Sequence, residues 1–277
     1  MSDTVADYSY TRSECLMSIE NLGVHYDRPI LRDINLKIYD IVRPNLTQGQ
    51  VVTILGPSGI GKTQLLRCIA GLQSPATGTV SIQAEHGDKH VHAGDVGMVG
   101  QHYPLFNHRT VVDNLLIAAK RANKTREAVD HYLGDFKLAD QASKYPMQLS
   151  GGQRQRVAII QQLLNRSRFL VMDEPFSGLD PQAKQMVCDT LLTVSQKHEW
   201  STTIVISHDI DAAIYISDTI CVLGRTRDGQ GQPLPGATIV DRYDLMEMGL
   251  AWRPDKQKLL QFATLRENII DRFKTLL

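Results

Sequence analysis

Gly56 to Thr63 read GPSGIGKT, and glycine, lysine and threonine at this spacing suit one task, holding a polyphosphate. The glycines let backbone N–H groups turn inward around phosphate oxygens, and a helix starting there adds the positive end of its dipole. Lys62 then reaches the β- and γ-phosphates, while the Thr63 hydroxyl suits Mg²⁺. An apolar β-like run, Val51 to Leu55, precedes the motif, and a helix-like run, Gln64 to Ala70, follows it. Strand, loop and helix in that order are the context a P-loop requires. The candidate ATP-binding residues here are Gly56, Pro57, Ser58, Gly59, Ile60, Gly61, Lys62, Thr63 and Gln64.

Two further segments carry chemistry. Phe169 to Glu174, FLVMDE, is an apolar strand that ends in two carboxylates. Open α/β sheets present ligand chemistry at this edge. With a P-loop upstream, Asp173 suits a Mg²⁺ role and Glu174 is placed to take a proton from an attacking water. Leu149 to Arg156 read LSGGQRQR ahead of a helical run. Ser150, Gly151, Gly152 and Gln153 at that helix start offer a hydroxyl, exposed N–H groups and a dipole, a second anion-facing surface.

Together these motifs resemble the ATP-binding subunits of ABC transporters, over about residues 17 to 223. LSGGQ is similar to that family's signature, GPSGIGKT to its Walker A and FLVMDE to its Walker B. Gln101 resembles the Q-loop glutamine, and SGLD, Ser177 to Asp180, the D-loop. His208 resembles the switch histidine and Tyr26 the aromatic that stacks on adenine. The stretch IYDIVRPNLTQGQ before the P-loop is longer than the compact turn the family leads one to expect.

The resemblance implies ATP and Mg²⁺ as ligands, with Gln101 joining Thr63 and Asp173 at the metal. Glu174, His208, Gln101 and Lys62 are the implied catalytic group. It also implies two copies arranged head to tail, each ATP held between one P-loop and the other copy's Ser150, Gly152 and Gln153, with Asp180 coupling the two sites. A membrane permease is the implied partner, docking beside Gln101 on His102, Tyr103, Pro104, Leu105 and Phe106. A solute-binding protein is a further expected partner, and the chain is expected at the cytoplasmic face of the membrane as a peripheral subunit, more in keeping with an importer. An exporter or lipid-trafficking ATPase is the alternative, and a soluble ABC ATPase of the sulfur-cluster assembly type a third reading.

Elements must hold these residues. Short β-branched runs recur at Met17–Leu22, Val51–Leu55, Thr79–Gln83, Val96–Val99, Phe169–Met172, Thr203–Ile206 and Thr219–Leu223, with helical patterns between several of them. The fold class expected is α/β: a P-loop NTPase core with a largely parallel sheet, antiparallel β elements and an inserted α-helical subdomain. From Pro104 to Leu149 apolar residues fall at helical spacing, in VVDNLLIAAKRA and TREAVDHYL, so the helical subdomain is placed at about 102–150. It interrupts an ATPase domain spanning 16–250, after a flexible lead-in at 1–15. Arg225 to Ala237, RTRDGQGQPLPGA, reads as a long loop. The region 251–277 carries an amphipathic helix expected to pack back on its own domain.

Composition narrows the partners. Thirty basic and thirty acidic side chains cancel, so no general nucleic-acid or anionic-lipid surface is expected. No apolar run approaches the roughly 18 residues that span a bilayer. The acidic N-terminus lacks the apolar stretch of a secretory signal. Cys15, Cys68, Cys188 and Cys221 are scattered and suit a reducing compartment. His86, His90 and His92 in HGDKHVH read as a turn between two strands rather than a metal site.

Overall fold

The structure, a computed structural model, describes residues 9–44, 49–84, 87–100, 103–165, 168–197, 202–253 and 255–276. Six strands form the core sheet in the order β10-β9-β3-β8-β7-β6. They are β3 (Gln50–Leu55), β6 (Gly97–Val99), β7 (Phe169–Asp173), β8 (Thr202–Ser207), β9 (Thr219–Gly224) and β10 (Thr238–Asp244). All neighbours run parallel except β10, which pairs antiparallel with β9. β3, β8 and β9 are buried at every position, as expected of parallel strands covered on both faces.

Alternation along these strands separates two layers. Val52, Ile54, Val171, Ile204 and Ile206 face α1 (Lys62–Ile69) and a second sheet. Val51, Leu170, Met172 and Val205 face the helices α2 (Val111–Arg121), α3 (Arg126–Asp135), α4 (Gly151–Leu164) and α5 (Pro181–Lys197). The period of two along a strand sends neighbouring side chains to opposite sides, so one short apolar strand serves both layers.

The second sheet is antiparallel, in the order β2-β1-β4-β5, from β1 (Thr11–His25), β2 (Pro29–Val42), β4 (Thr77–Ala84) and β5 (Gly87–His90). β1 starts at Thr11 and so takes in residues 11–15 of the expected lead-in, a correction to that boundary. Strands β2 and β10 fall outside the β-branched runs read from the sequence. β2 buries Ile34, Leu36 and Ile38 on one face while Asp33, Asn35 and Lys37 face out. His86 lies outside the described residues; His90 pairs through Nδ1 with Ser81 Oγ at 3.3 Å.

Asn114, fully buried in α2, organises the approach to the helical layer. Its Oδ1 accepts from the Phe106 N–H at 2.8 Å, and its Nδ2 donates to the carbonyls of Phe106 and Thr110 at 3.1 and 2.9 Å. The 225–237 segment is held as well: Arg32 N–H donates to Ala237 O at 2.9 Å and Ala237 N–H to Ile30 O at 2.8 Å. The last helix, α7 (Leu260–Phe273), does pack on its own chain. Phe262, Leu265, Ile269 and Leu276 are buried with Ile214 of α6 (Ile210–Ile216), Val222 of β9 and Leu55 of β3.

Candidate nucleotide site

β3 ends at Leu55, and the chain turns through Gly56–Gly61 into α1. Gly59 and Gly61 adopt φ of 78° and 113°, where a side chain is strained. Gly61 has a second constraint: a Cβ there would lie 2.9 Å from Leu31 Cδ2 and 3.0 Å from Ile30 Cγ2. The loop therefore fits against the β1–β2 hairpin only as glycine. Lys62, at 6% exposure, curls back over the loop; its Nζ donates to Gly56 O at 2.8 Å and Pro57 O at 3.0 Å.

β7 lies two strands from β3, across β8, and delivers the carboxylates to the same edge. Thr63 Oγ1 donates to Asp173 Oδ2 at 3.2 Å, while Asp173 Oδ1 is buried without a hydrogen-bond partner. Burial pushes the Asp173 carboxyl above its ordinary pKa and the Glu174 carboxylate adds to this, opposed by the Thr63 hydrogen bond and the Lys62 charge. A hydroxyl beside an unsatisfied carboxylate oxygen is a donor set that fits a hard divalent cation such as Mg²⁺. Glu174 follows with φ of +50°, a left-handed conformation uncommon for a side-chain-bearing residue. Its Oε1 lies 3.3 Å from Lys62 Nζ, and its Oε2 lies 2.8 Å from His208 Nδ1, just beyond β8. The Glu174 N–H is pinned to Ile206 O at 2.9 Å.

The β1–β2 hairpin closes the other side. Tyr26, 60% exposed, donates from its hydroxyl to Gln64 Oε1 at 2.9 Å. Tyr26 and Ile30 flank a cleft of about 370 Å³ floored by Ser58, Gly59, Gly61, Lys62, Thr63 and Gln64, with Glu174 at its edge. Tyr26 thus keeps company with the P-loop despite the long insert before β3. Ile30 was not legible as a site residue; only the hairpin brings it beside Gly61.

Other expected residues stand elsewhere. Ser150 caps α4 in a reciprocal arrangement: Ser150 Oγ accepts from the Gln153 N–H at 3.3 Å, and Gln153 Oε1 accepts from the Ser150 N–H at 2.9 Å. Asp180 Oδ1 accepts from Gln182 and Ala183 N–H at 2.9 and 3.0 Å, capping α5. Ser150, Gly151, Gly152, Gln153 and Asp180 are not among the described residues lining the P-loop cleft. Gln101 and His102 lie outside the described residues. Of the neighbouring segment, Pro104 and Phe106 are exposed while Tyr103 and Leu105 are half-buried against the helical layer.

A P-loop at the end of a buried parallel strand, facing strand-end carboxylates and a histidine, defines a P-loop nucleotide-binding protein. The "ABC transporter" family model matches residues 39–177. The chain is 37% identical over 218 residues to the sulfate/thiosulfate import ATP-binding protein CysA 2 of Rhizobium meliloti, covering 75% of this chain and 57% of that protein. It is 35% identical over 216 residues to the glutamine transport ATP-binding protein GlnQ of Bacillus subtilis, covering 74% of this chain and 85% of that one. Among solved structures, CbiO1 of Clostridium perfringens, part of the ABC transporter complex CbiONQ, superposes with a TM-score of 0.70 at 22% identity. That match covers 93% of this chain and 100% of CbiO1, and it speaks for the fold. The chain belongs to the ABC transporter family as an ATP-binding protein. It matches less than two thirds of the length of the sulfate/thiosulfate relative.

Proposed function

We propose that this chain hydrolyses ATP to energise the import of a solute through a separate membrane permease. The observation that carries the reading is Glu174, held between Lys62 and His208 at the edge of the P-loop cleft. Glu174 takes a proton from the water that attacks the γ-phosphate, and His208 contacts that phosphate. Lys62 exchanges the Gly56 and Pro57 carbonyls for phosphate oxygens and offsets their charge. Thr63 and Asp173 would hold Mg²⁺, with Gln101 as a further contact. Bound there, the ion supplies charge neutralisation on the phosphates.

Tyr26 stacks on the adenine, its exposed ring standing at the cleft mouth. Ser150, Gly152 and Gln153 present their capped helix start to the ATP of a second copy in a head-to-tail pair, and Asp180 sits at the junction between the two sites. An isologous pair of this kind closes on itself. ATP closes the pair and hydrolysis reopens it, a ligand-driven shift between two arrangements. The exposed Pro104 and Phe106, which follow Gln101 and His102 in the sequence, provide apolar area for a permease contact. The place proposed for the chain is peripheral, beside the permease at the cytoplasmic face; no helix among the described residues is long and apolar enough to cross a membrane. Import is favoured because the sulfate/thiosulfate relative is an import ATP-binding protein; the glutamine relative is a transport ATP-binding protein.

The test is co-purification of the tagged chain from gently solubilised native membranes, with partners identified by mass spectrometry. A stoichiometric multi-span permease together with a solute-binding protein is the expected result. A permease with no binding protein, together with outward transport in vesicles, would replace import by export. Recovery with a soluble partner alone would remove the transport reading.

A further inference from the structure

The signature helix and the Glu174 turn are joined inside the chain. Gln155 sits in α4 five residues beyond Ser150, about 7.5 Å along the helix axis. Its side chain is wholly buried, and it lies two residues beyond LSGGQ with no role assigned to it in the site described above. Gln155 Nε2 donates to the Pro175 carbonyl at 3.0 Å, and Gln155 Oε1 is buried without a partner. A buried amide with one end unsatisfied persists in a fold when its other end has a task.

That task concerns the residue next door. Pro175 follows Glu174, whose φ of +50° must be held by its surroundings. The turn is tied at its start by Glu174 N–H to Ile206 O and within itself by Ser177 N–H to Glu174 O at 3.1 Å. Proline has no N–H to add a further tie, so the Pro175 carbonyl is the remaining polar handle of that residue. Gln155 grips that handle from the helical layer, and Phe176 beside it is buried in the same cluster as α4.

We propose that Gln155 is the positioning residue that holds Glu174 in its left-handed conformation, against His208 and Lys62. The proposal rests on Glu174 acting on the attacking water. Because Ser150 begins the same helix, α4 then links the end that addresses one nucleotide to the acid that serves the other. A tilt of α4 is passed to Glu174 through one buried hydrogen bond.

The experiment compares Gln155→Met, Gln155→Glu and Glu174→Gln with the wild type, as full-length chains in the form in which they are isolated. ATP affinity, phosphate release and melting temperature are measured for each. Met keeps the volume and removes the donor, so the rate constant should fall by about ten- to a hundredfold, as expected for an unmade buried hydrogen bond. ATP affinity should stay within about twofold, because the P-loop is untouched. Glu at 155 donates to Pro175 only when protonated, so its rate relative to wild type should rise as pH is lowered. A Gln155→Met rate within about twofold of wild type would overturn the inference. So would joint loss of ATP affinity and melting temperature, or a flat pH ratio for Gln155→Glu. The control separates the failures: near-normal hydrolysis by Glu174→Gln would instead overturn the reading of Glu174 itself.

Discussion

Asp218 and Lys256 are among the most deeply buried charged side chains of the described residues, at 4% and 3% exposure. They join the C-terminal segment to the strand beneath the P-loop. Asp218 Oδ2 accepts from the Val51 N–H at 2.7 Å, the Asp218 N–H donates to Val51 O, and the Leu245 N–H donates to Asp218 O. Lys256 Nζ lies 5.6 Å from the ring centroid of Tyr215 in α6. Burial pushes Asp218 up to about 7, against the Val51 hydrogen bond and the Lys256 charge. Burial pulls Lys256 down to about 8, against the Asp218 charge. Removing one member of such a pair leaves the other uncompensated, a loss of about 3–5 kcal/mol. No hydrogen bond or short ion pair between them is among those described, so the low end, about 3 kcal/mol, applies to Lys256→Met at pH 8. At about 2 °C per kcal/mol for a chain of this size, melting falls by about 6 °C.

The pH dependence has a defined sign. Asp218 has a folded pKa above its unfolded value, so its stabilising share is complete in acid and is lost as pH rises through about 7. Lys256 has a folded pKa below its unfolded value, so its share is present in alkali and is lost as pH falls through about 8. In Lys256→Met the Asp218 charge keeps its hydrogen bonds from Val51 and Trp252 but loses its buried cation, so the deficit against wild type should grow from pH 6 to pH 8. In acid the deficit should vanish, because there the wild type buries an unpaired lysine. Thermal unfolding of wild type, Lys256→Met, Asp218→Asn and the double variant across that range is the assay. Additive single effects, or a pH-independent deficit, would refute the reasoning.

Three further outcomes follow from particular contacts. Glu174→Gln should lower the hydrolysis rate by at least about a hundredfold while leaving ATP affinity near normal, read by phosphate release and equilibrium binding. Asp173→Asn removes one charge beside Thr63, so the Mg²⁺ concentration for half-maximal hydrolysis should rise by about tenfold or more in a metal titration. Leu265→Ala opens a cavity under α7, where the side chain is fully buried, and should cost about 2–5 kcal/mol in urea unfolding without changing ATP affinity.

The site was legible where residue types that do chemistry recur at fixed spacing. GPSGIGKT demands its turn, and a run such as VVTIL has few other uses than a strand buried on both faces. β2 was hidden for the opposite reason. As an edge strand with one face to water it alternates polar and apolar residues from Asp33 to Ile38, so ILRDINLKIYDIV holds no continuous β-branched run. In β10 the segment TIVDRYD has no position buried outright, and its pairing with β9 supplies what the sequence does not. Gln155 looked like one more polar residue in QRQR. Its importance depends on a carbonyl twenty residues away, and nothing in α4 alone reports that. The left-handed turn at Glu174 was equally silent, since glutamate has no preference for it. Lys256 and Asp218 would be placed at the surface by residue type alone.

The contacts around Glu174 also order the events at the site. One carboxylate serves two partners, Lys62 at 3.3 Å and His208 at 2.8 Å, while Lys62 is further engaged by Gly56 O and Pro57 O. Of the roughly four lone-pair sites of a carboxylate, the contact with Lys62 takes one on the oxygen that faces the P-loop. Phosphate is a stronger acceptor for an ammonium than two neutral carbonyls, so under the proposed function a triphosphate entering the loop would draw Lys62 away from Glu174. The oxygen thereby freed is Oε1, which faces the P-loop, the side on which the proposed attacking water would stand. His208 stays on the other oxygen and keeps the carboxylate from following the lysine. Nucleotide entry and release of the proposed base would then be a single event. On that proposal the lysine that binds the phosphate is the same one that otherwise occupies Glu174, so the carboxylate would be released only by a seated phosphate.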